Sequence, residues 1–162
     1  MTPQTRLAAF AVLLTASLAL TGCGSDTKTV KLGDGSTVKV TGDGEGATIE
    51  GKDGTKITTG KGLPDGYPTS DVPVVDGKVV GAATNSGDIA YSVIVQTTGS
   101  TADVFAAATA KLTGAGMTNK GEPSDLGPAS FAQFTSDKYE VALTVANGNG
   151  NTIVTYAVKN AG

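Results

Sequence analysis

The first group in this 162-residue chain that could do chemistry is a single thiol, Cys23, and it has no second cysteine to pair with. The chain has no histidine, so the commonest general base and the usual ligands of zinc and copper are missing. Serines and threonines are abundant, but no Gly-x-Ser-x-Gly turn activates one, and no GxxxxGK[ST] loop is present to cradle a phosphate. Aspartate and glutamate fall mainly in turns, where they cap and solubilise rather than converge. Lys and Arg number 12 against 15 Asp and Glu, and the lone arginine is Arg6, which excludes a basic nucleic-acid-binding face. Neither a catalytic constellation nor a cofactor is legible, and the chain is not expected to be an enzyme.

Cys23 sits at the end of a segment that reads as targeting. Met1 to Arg6 carries one positive charge, and Leu7 to Leu20 is an uncharged, mostly apolar run, long enough for a signal-peptide core and short of a membrane-spanning helix. Leu20-Thr21-Gly22-Cys23 then resembles the bacterial lipobox: an aliphatic residue, two small residues and a cysteine. The resemblance implies that residues 1–22 are a lipoprotein signal peptide and that the peptidase recognises Leu20, Thr21 and Gly22. It also implies that Cys23 carries diacylglycerol and becomes the first residue of the mature chain. The alternative is an ordinary signal peptide or an uncut anchor with an incidental cysteine. An unpaired thiol is a liability in an oxidising compartment, which argues against incidental retention at this position. Two acyl chains would supply on the order of 20 kcal/mol of gross membrane affinity.

Beyond a short lipidated tether, residues 23–27, the elements are expected to be β-strands. Residues 28–60 contain Asp-Gly at positions 34, 43 and 53, each favouring the positive φ of a tight hairpin turn. Between the turns, Val30, Leu32, Val38, Val40, Ile49 and Ile57 alternate with Thr, Lys and Glu, predicting a short β-ribbon or meander. So few aliphatic side chains cannot offset the ordering entropy of the ribbon, which must pack on something else or remain partly disordered. Asp34, Asp43, Glu45 and Asp53 are hard oxygen ligands, yet their spacing matches neither an EF-hand nor a calcium-binding β-roll, so they read as turn residues. Residues 61–75 hold Pro64, Pro68 and Pro73 and read as an extended connector, with Leu63, Tyr67 and Val74 as contact points.

Residues 76–162 predict longer elements. Strands are expected at Val79–Ala83, from Ile89 to Gln96, at Ala129–Thr135, Lys138–Ala146 and Asn151–Lys159, the last two as a hairpin. Ser100 to Ala115 predicts the one helix of the domain, with Ser100 and Asp103 as a capping pair and Val104, Phe105, Ala108 and Leu112 as the apolar stripe. Phe105, Phe131, Phe134, Tyr139 and Tyr156 are expected in the core, with Tyr67, Tyr91 and Tyr139 keeping their hydroxyls wet. The fold class that follows is α+β: an antiparallel sheet with one helix packed across it, preceded by the Gly/Asp-rich meander.

As a whole the chain is similar to small bacterial lipoproteins, actinobacterial ones above all, in which a lipobox precedes a single α+β domain. The "LPDGYPTSDVPVVDGKVV" segment before the first long strand and the "KLTGAGM" helix end carry this second resemblance. It implies fold and location, on the cell membrane facing the extracytoplasmic side, and no activity. Two functional readings stay open: a non-catalytic interaction or structural module that meets an envelope protein or cell-wall partner, and a carrier of an apolar or lipid-like ligand held between helix and sheet.

Overall fold

Alternating β-branched and polar residues can form a stable sheet only if each strand's two faces meet different surroundings, and this chain satisfies that in two opposite ways. The computed structural model describes residues 26–31, 37–42, 46–51, 54–85, 89–125, 128–148 and 150–162. Four short strands come first: β1 (Asp26–Lys31), β2 (Thr37–Gly42), β3 (Ala47–Glu50) and β4 (Lys56–Thr59). After the connector follow β5 (Lys78–Thr84), β6 (Ile89–Thr97), the helix α1 (Thr101–Gly114), the two-residue strands β7 (Thr118–Asn119) and β8 (Ser124–Asp125), then β9 (Ala129–Thr135), β10 (Tyr139–Gly148) and β11 (Asn151–Asn160).

All pairings among the described residues are antiparallel, in the order β1-β2-β3-β4-β5-β6-β11-β10-β9-β7, with β8 beside β7 on the same edge of β9. The protein is thus an antiparallel sheet with a single helix, a sheet-dominated arrangement that fits α+β loosely. The meander does not precede a separate sheet: β4 pairs with β5 through Lys56–Thr84, Ile57–Ala83 and Thr58–Ala82, and so extends it. The ladder begins at Asp26, two residues earlier than the predicted start of the ribbon, inside the expected tether.

α1 starts where the sequence places it. The Ser100 hydroxyl accepts from the Asp103 N–H at 3.1 Å and donates to the Asp103 carboxylate at 2.6 Å, so the first turn is capped reciprocally. Val104, Ala108 and Leu112 form its buried stripe and pack on β9 and β10. Gly99, with φ 118°, turns the chain into the helix, and its carbonyl accepts from the buried Thr152 hydroxyl at 2.7 Å. That ties the helix entry to the start of β11.

The other half of the cover is the connector, which contributes far more than contact points. Tyr67, Val72 and Val75 are buried core residues, Val72 completely, and Leu63 and Val74 pack against that core. Two tyrosines from the sheet hold it down. Tyr156 of β11 accepts from the Val75 N–H at 3.0 Å, and Tyr91 of β6 donates to the Gly66 carbonyl at 2.8 Å. Gly66 needs its freedom here, because its φ is 77° and a Cβ would press on the Tyr91 hydroxyl. Tyr67 meets Tyr91 edge to face at 5.5 Å. At the flanks, Asp71 pairs with Lys138 and Asp76 with Lys111, each at 3.0 Å; both pairs are partly to fully solvated and add little to stability.

The aromatics divide differently from the expectation. Phe134 and Tyr156 are core residues, and Phe105 and Tyr139 flank the core, but Phe131 is 38% exposed on the opposite side of β9. Ser130, Ala132 and Phe134 are the buried set of that strand, so strand alternation puts Phe131 outside. Nor is the Tyr67 hydroxyl wet: it is buried and has no hydrogen-bond partner. Burial, together with the nearby Tyr156, drives its pKa well above the ordinary phenol value.

These two phenols give substitutions of opposite sign. Tyr156→Phe leaves the buried Val75 N–H without an acceptor and is expected to cost about 1–3 kcal/mol in urea denaturation. Tyr67→Phe removes an unsatisfied buried hydroxyl and is expected to be neutral or stabilising. Burial also raises the Tyr156 pKa from 10.0 to about 12, against the opposing pull of the Val75 hydrogen bond. Both folded-state values exceed the unfolded one, so their contribution is complete below pH 10 and is lost as pH rises toward 12. Stability measured from pH 9 upward should fall in the native chain and fall less in the Tyr67→Phe, Tyr156→Phe double variant.

Candidate functional site

The residues singled out by the lipobox resemblance, Leu20, Thr21, Gly22 and Cys23, lie outside the described residues, as do Asp34, Asp43, Glu45 and Asp53. What the structure adds is the position of the first described strand relative to them. The first residue of β1 is Asp26, three positions after Cys23, a span of at most roughly 10 Å of extended chain. β1, an edge strand among the described residues, is therefore the described element nearest to Cys23 along the chain.

The register exposes an inversion of the sheet. One row of cross-strand neighbours runs Thr41, Thr48, Thr58, Ala82, Val93, Tyr156, Leu143, Ala132. The adjacent row, on the other face, runs Val40, Ile49, Ile57, Ala83, Ser92, Ala157, Ala142, Gln133. In β5 to β11 the first row is the core beneath α1 and the connector. In β2 to β4 the same face carries threonines, and the aliphatic side chains stand on the face that α1 does not cover.

Among the described residues, α1 packs on β9, β10 and β7, and the connector is fastened over β6 and β11. The helix-side face of β1 to β4 lies beyond both and takes Thr27 and Lys39, which are exposed, and Thr41, Thr48 and Lys56, which are half-buried, with a Thr27–Thr41 hydroxyl contact at 3.1 Å. On the other face Val30, Ile49 and Ile57 are 44%, 36% and 43% exposed, with Val38 and Val40 half-buried beside them and Lys28 at the edge. The patch covers roughly 300 Å² for four strands of this length, about the size of the largest apolar patch on an ordinary monomer.

Two surface concavities are present among the described residues. One, about 270 Å³, opens on that same uncovered face and is lined by Ile89, Gln133, Ala142, Ala157 and the charged Lys120, Glu140 and Lys159. Lys120 bonds Glu140 at 3.0 Å, and that hydrogen bond, then the charges of Lys120 and Lys159, hold the Glu140 carboxyl below the usual range. A fully solvated ion pair with a lowered carboxyl pKa is the reverse of what a general acid needs. The other, about 240 Å³, lies at the rim between α1, the end of β6 and the connector, with Asp76, Asp103 and Lys111 at its mouth. The interface between helix and sheet is filled: Ala108, Leu112, Val72, Val93, Val145 and Tyr156 are completely buried. Among the described residues, no group of three potential metal ligands converges, and no helix is long and apolar enough to cross a membrane.

No protein-family model, curated protein or solved structure matches this chain.

Sequence reasoning found the meander's aliphatic alternation but not the face it takes, because alternation fixes two faces without saying which is covered. The signal that could have found it is the helix-side partner of the β4–β5 pairing, and that is a non-local contact. If the ribbon's aliphatic face is solvated, Ile57→Thr should change stability by no more than about 0.5 kcal/mol. Val93→Thr, a buried hydroxyl in the other row, should cost about 1–3 kcal/mol. Chemical denaturation of the two variants checks the contrast, and equal losses would contradict it.

Proposed function

We propose that this chain is an extracytoplasmic lipoprotein, held on the cell membrane by acylation of Cys23, whose sheet domain is a non-catalytic interaction or structural module of the cell envelope. The observation that carries the reading is the juxtaposition of a lipobox-like Leu20-Thr21-Gly22-Cys23 with a lone cysteine and an ordered sheet starting at Asp26. Cleavage before Cys23 would leave almost no loose chain between lipid and fold. It would also remove the whole apolar run from Leu7 to Leu20, leaving Cys23 as the point of attachment.

The module reading draws support from the chemistry of the described residues. The chain has no histidine, the well-defined ion pairs are solvated, and the space between α1 and the sheet is occupied by side chains. A carrier would need an enclosed apolar chamber of roughly 300 Å³ or more between helix and sheet, and the concavities present open at the surface instead. The partner expected is an envelope protein or cell-wall polymer, not nucleic acid, because the mature residues 23–162 carry 11 lysines against 15 carboxylates.

Membrane fractionation with intact-mass measurement tests the anchor. The native chain should be found in the membrane fraction with the mass of residues 23–162 plus diacylglycerol. Cys23→Ala should lose that added mass and leave the membrane fraction on high-pH washing. A Cys23→Ala protein that stays in the membrane at an unchanged mass contradicts acylation. Cross-linking of the anchored native chain, read by mass spectrometry, then identifies what the module touches.

A further inference from the structure

We propose that the aliphatic face of β1 to β4, formed by Val30, Val38, Val40, Ile49 and Ile57, rests on the outer surface of the bilayer that carries the chain's own lipid anchor. The inference rests on the reading of Cys23 as the acylated residue and extends it from a point of attachment to a docked surface.

Three observations select the bilayer as occupant. The first is reach. With the acyl chains in the membrane, Asp26 at the start of β1 lies no more than roughly 10 Å from Cys23, and Val30 no more than roughly 24 Å. The patch begins within β1, at Val30, and continues through the next three strands. A surface tied this close to lipid meets the bilayer at an effective concentration no soluble partner matches.

The second is charge. Residues 26–61 hold six lysines and six carboxylates, whereas residues 62–162 hold five lysines and nine carboxylates. All of the mature chain's net negative charge therefore belongs to the part beyond the ribbon, and the neutral ribbon is the part that an anionic leaflet does not repel. Lys28 stands on the aliphatic face in the strand nearest the anchor, where its stem can lie along the apolar patch and its ammonium can reach lipid phosphates.

The third is the polarity inversion itself. Threonines, lysines and Glu50 occupy the face of β1 to β4 on the helix side, so the aliphatic side chains of the ribbon stand on the face opposite α1. At the usual twist of about 20–25° per strand, the four steps from β3 to β11 would turn the helix-covered strands through roughly a right angle from the ribbon. The ribbon can lie flat while the helix-covered sheet stands up from the surface.

The test uses the acylated full chain in phosphatidylethanolamine–phosphatidylglycerol vesicles. Acylation blocks Cys23, so an introduced cysteine is the only free thiol to take an environment-sensitive fluorophore. Ile49→Cys and Ile57→Cys probe the aliphatic face; Glu50→Cys and Lys56→Cys, the next residues along the same strands, probe the other. Intact mass is read first on the same samples. The expected result is a lipid-bearing mass, a blue shift at positions 49 and 57 with quenching by a spin-labelled lipid, and water-like emission at 50 and 56 without it. A mass lacking the lipid overturns the anchor reading and the docking with it. A lipid-bearing chain whose four probes all report water overturns the docking alone. So does a shift at 49 and 57 that follows protein concentration and ignores the spin-labelled lipid, which would place a second copy of the chain on the face.

Discussion

The fold depends on the antiparallel pairing of β4 with β5. Through Ile57–Ala83 and Thr58–Ala82, that ladder makes one sheet of two strand sets whose apolar and polar faces are reversed. On the β5 side, the face carrying Ala82 and Val93 is closed by α1 and the connector; on the β4 side the same face is polar and half-buried. Backbone hydrogen bonds do not distinguish the two situations, since they lie in the plane of the sheet. Side-chain identity does, and the strand period of two lets the chain exchange its faces without breaking the ladder.

That arrangement resolves a difficulty inherent in the meander. Four short strands with few aliphatic residues cannot hold themselves together by burial, and here they borrow order from the edge of a sheet whose core is complete without them. The larger domain supplies that core with Tyr156, Phe134, Leu112 and Leu143 and with a run of valines from β6, β10 and β11. The connector is indispensable to it. By burying Tyr67, Val72 and Val75, accepting a bond from Tyr91 and donating one to Tyr156, it covers the strands that one 14-residue helix cannot reach. Its prolines, which bar it from the sheet, suit it to lie across the strands instead.

Much of this was legible in the sequence. Alternation located β2, β4, β6, β9, β10 and β11, the Ser100–Asp103 pair located the start of α1, and turn residues separated the elements. What escaped was decided by contacts distant along the chain. Val72 and Val75 lie among prolines with no period to betray their burial, and their partners are 81 residues away in the case of Val75 and Tyr156. Phe131 looked like core by type but lies one residue out of phase with Ser130, Ala132 and Phe134. Asp26 and Thr27 read as tether beside the small polar residues that follow Cys23, yet pairing with Gly42 and Thr41 recruits them into β1. The candidate attachment residues were legible as a motif only, and the surface next to them became visible only through the register.

The most direct measurement on this account is the set of cross-strand proton contacts in a solution NMR spectrum of the folded chain. Contacts linking residues 56–58 to 82–84, with the Ile57 and Ala83 side chains on one face and Thr58 and Ala82 on the other, are the expected result. A spectrum in which β1 to β4 show their own hairpin contacts but none to β5 would contradict it. The inverted sheet, and the orientation of its aliphatic face, would then have no basis.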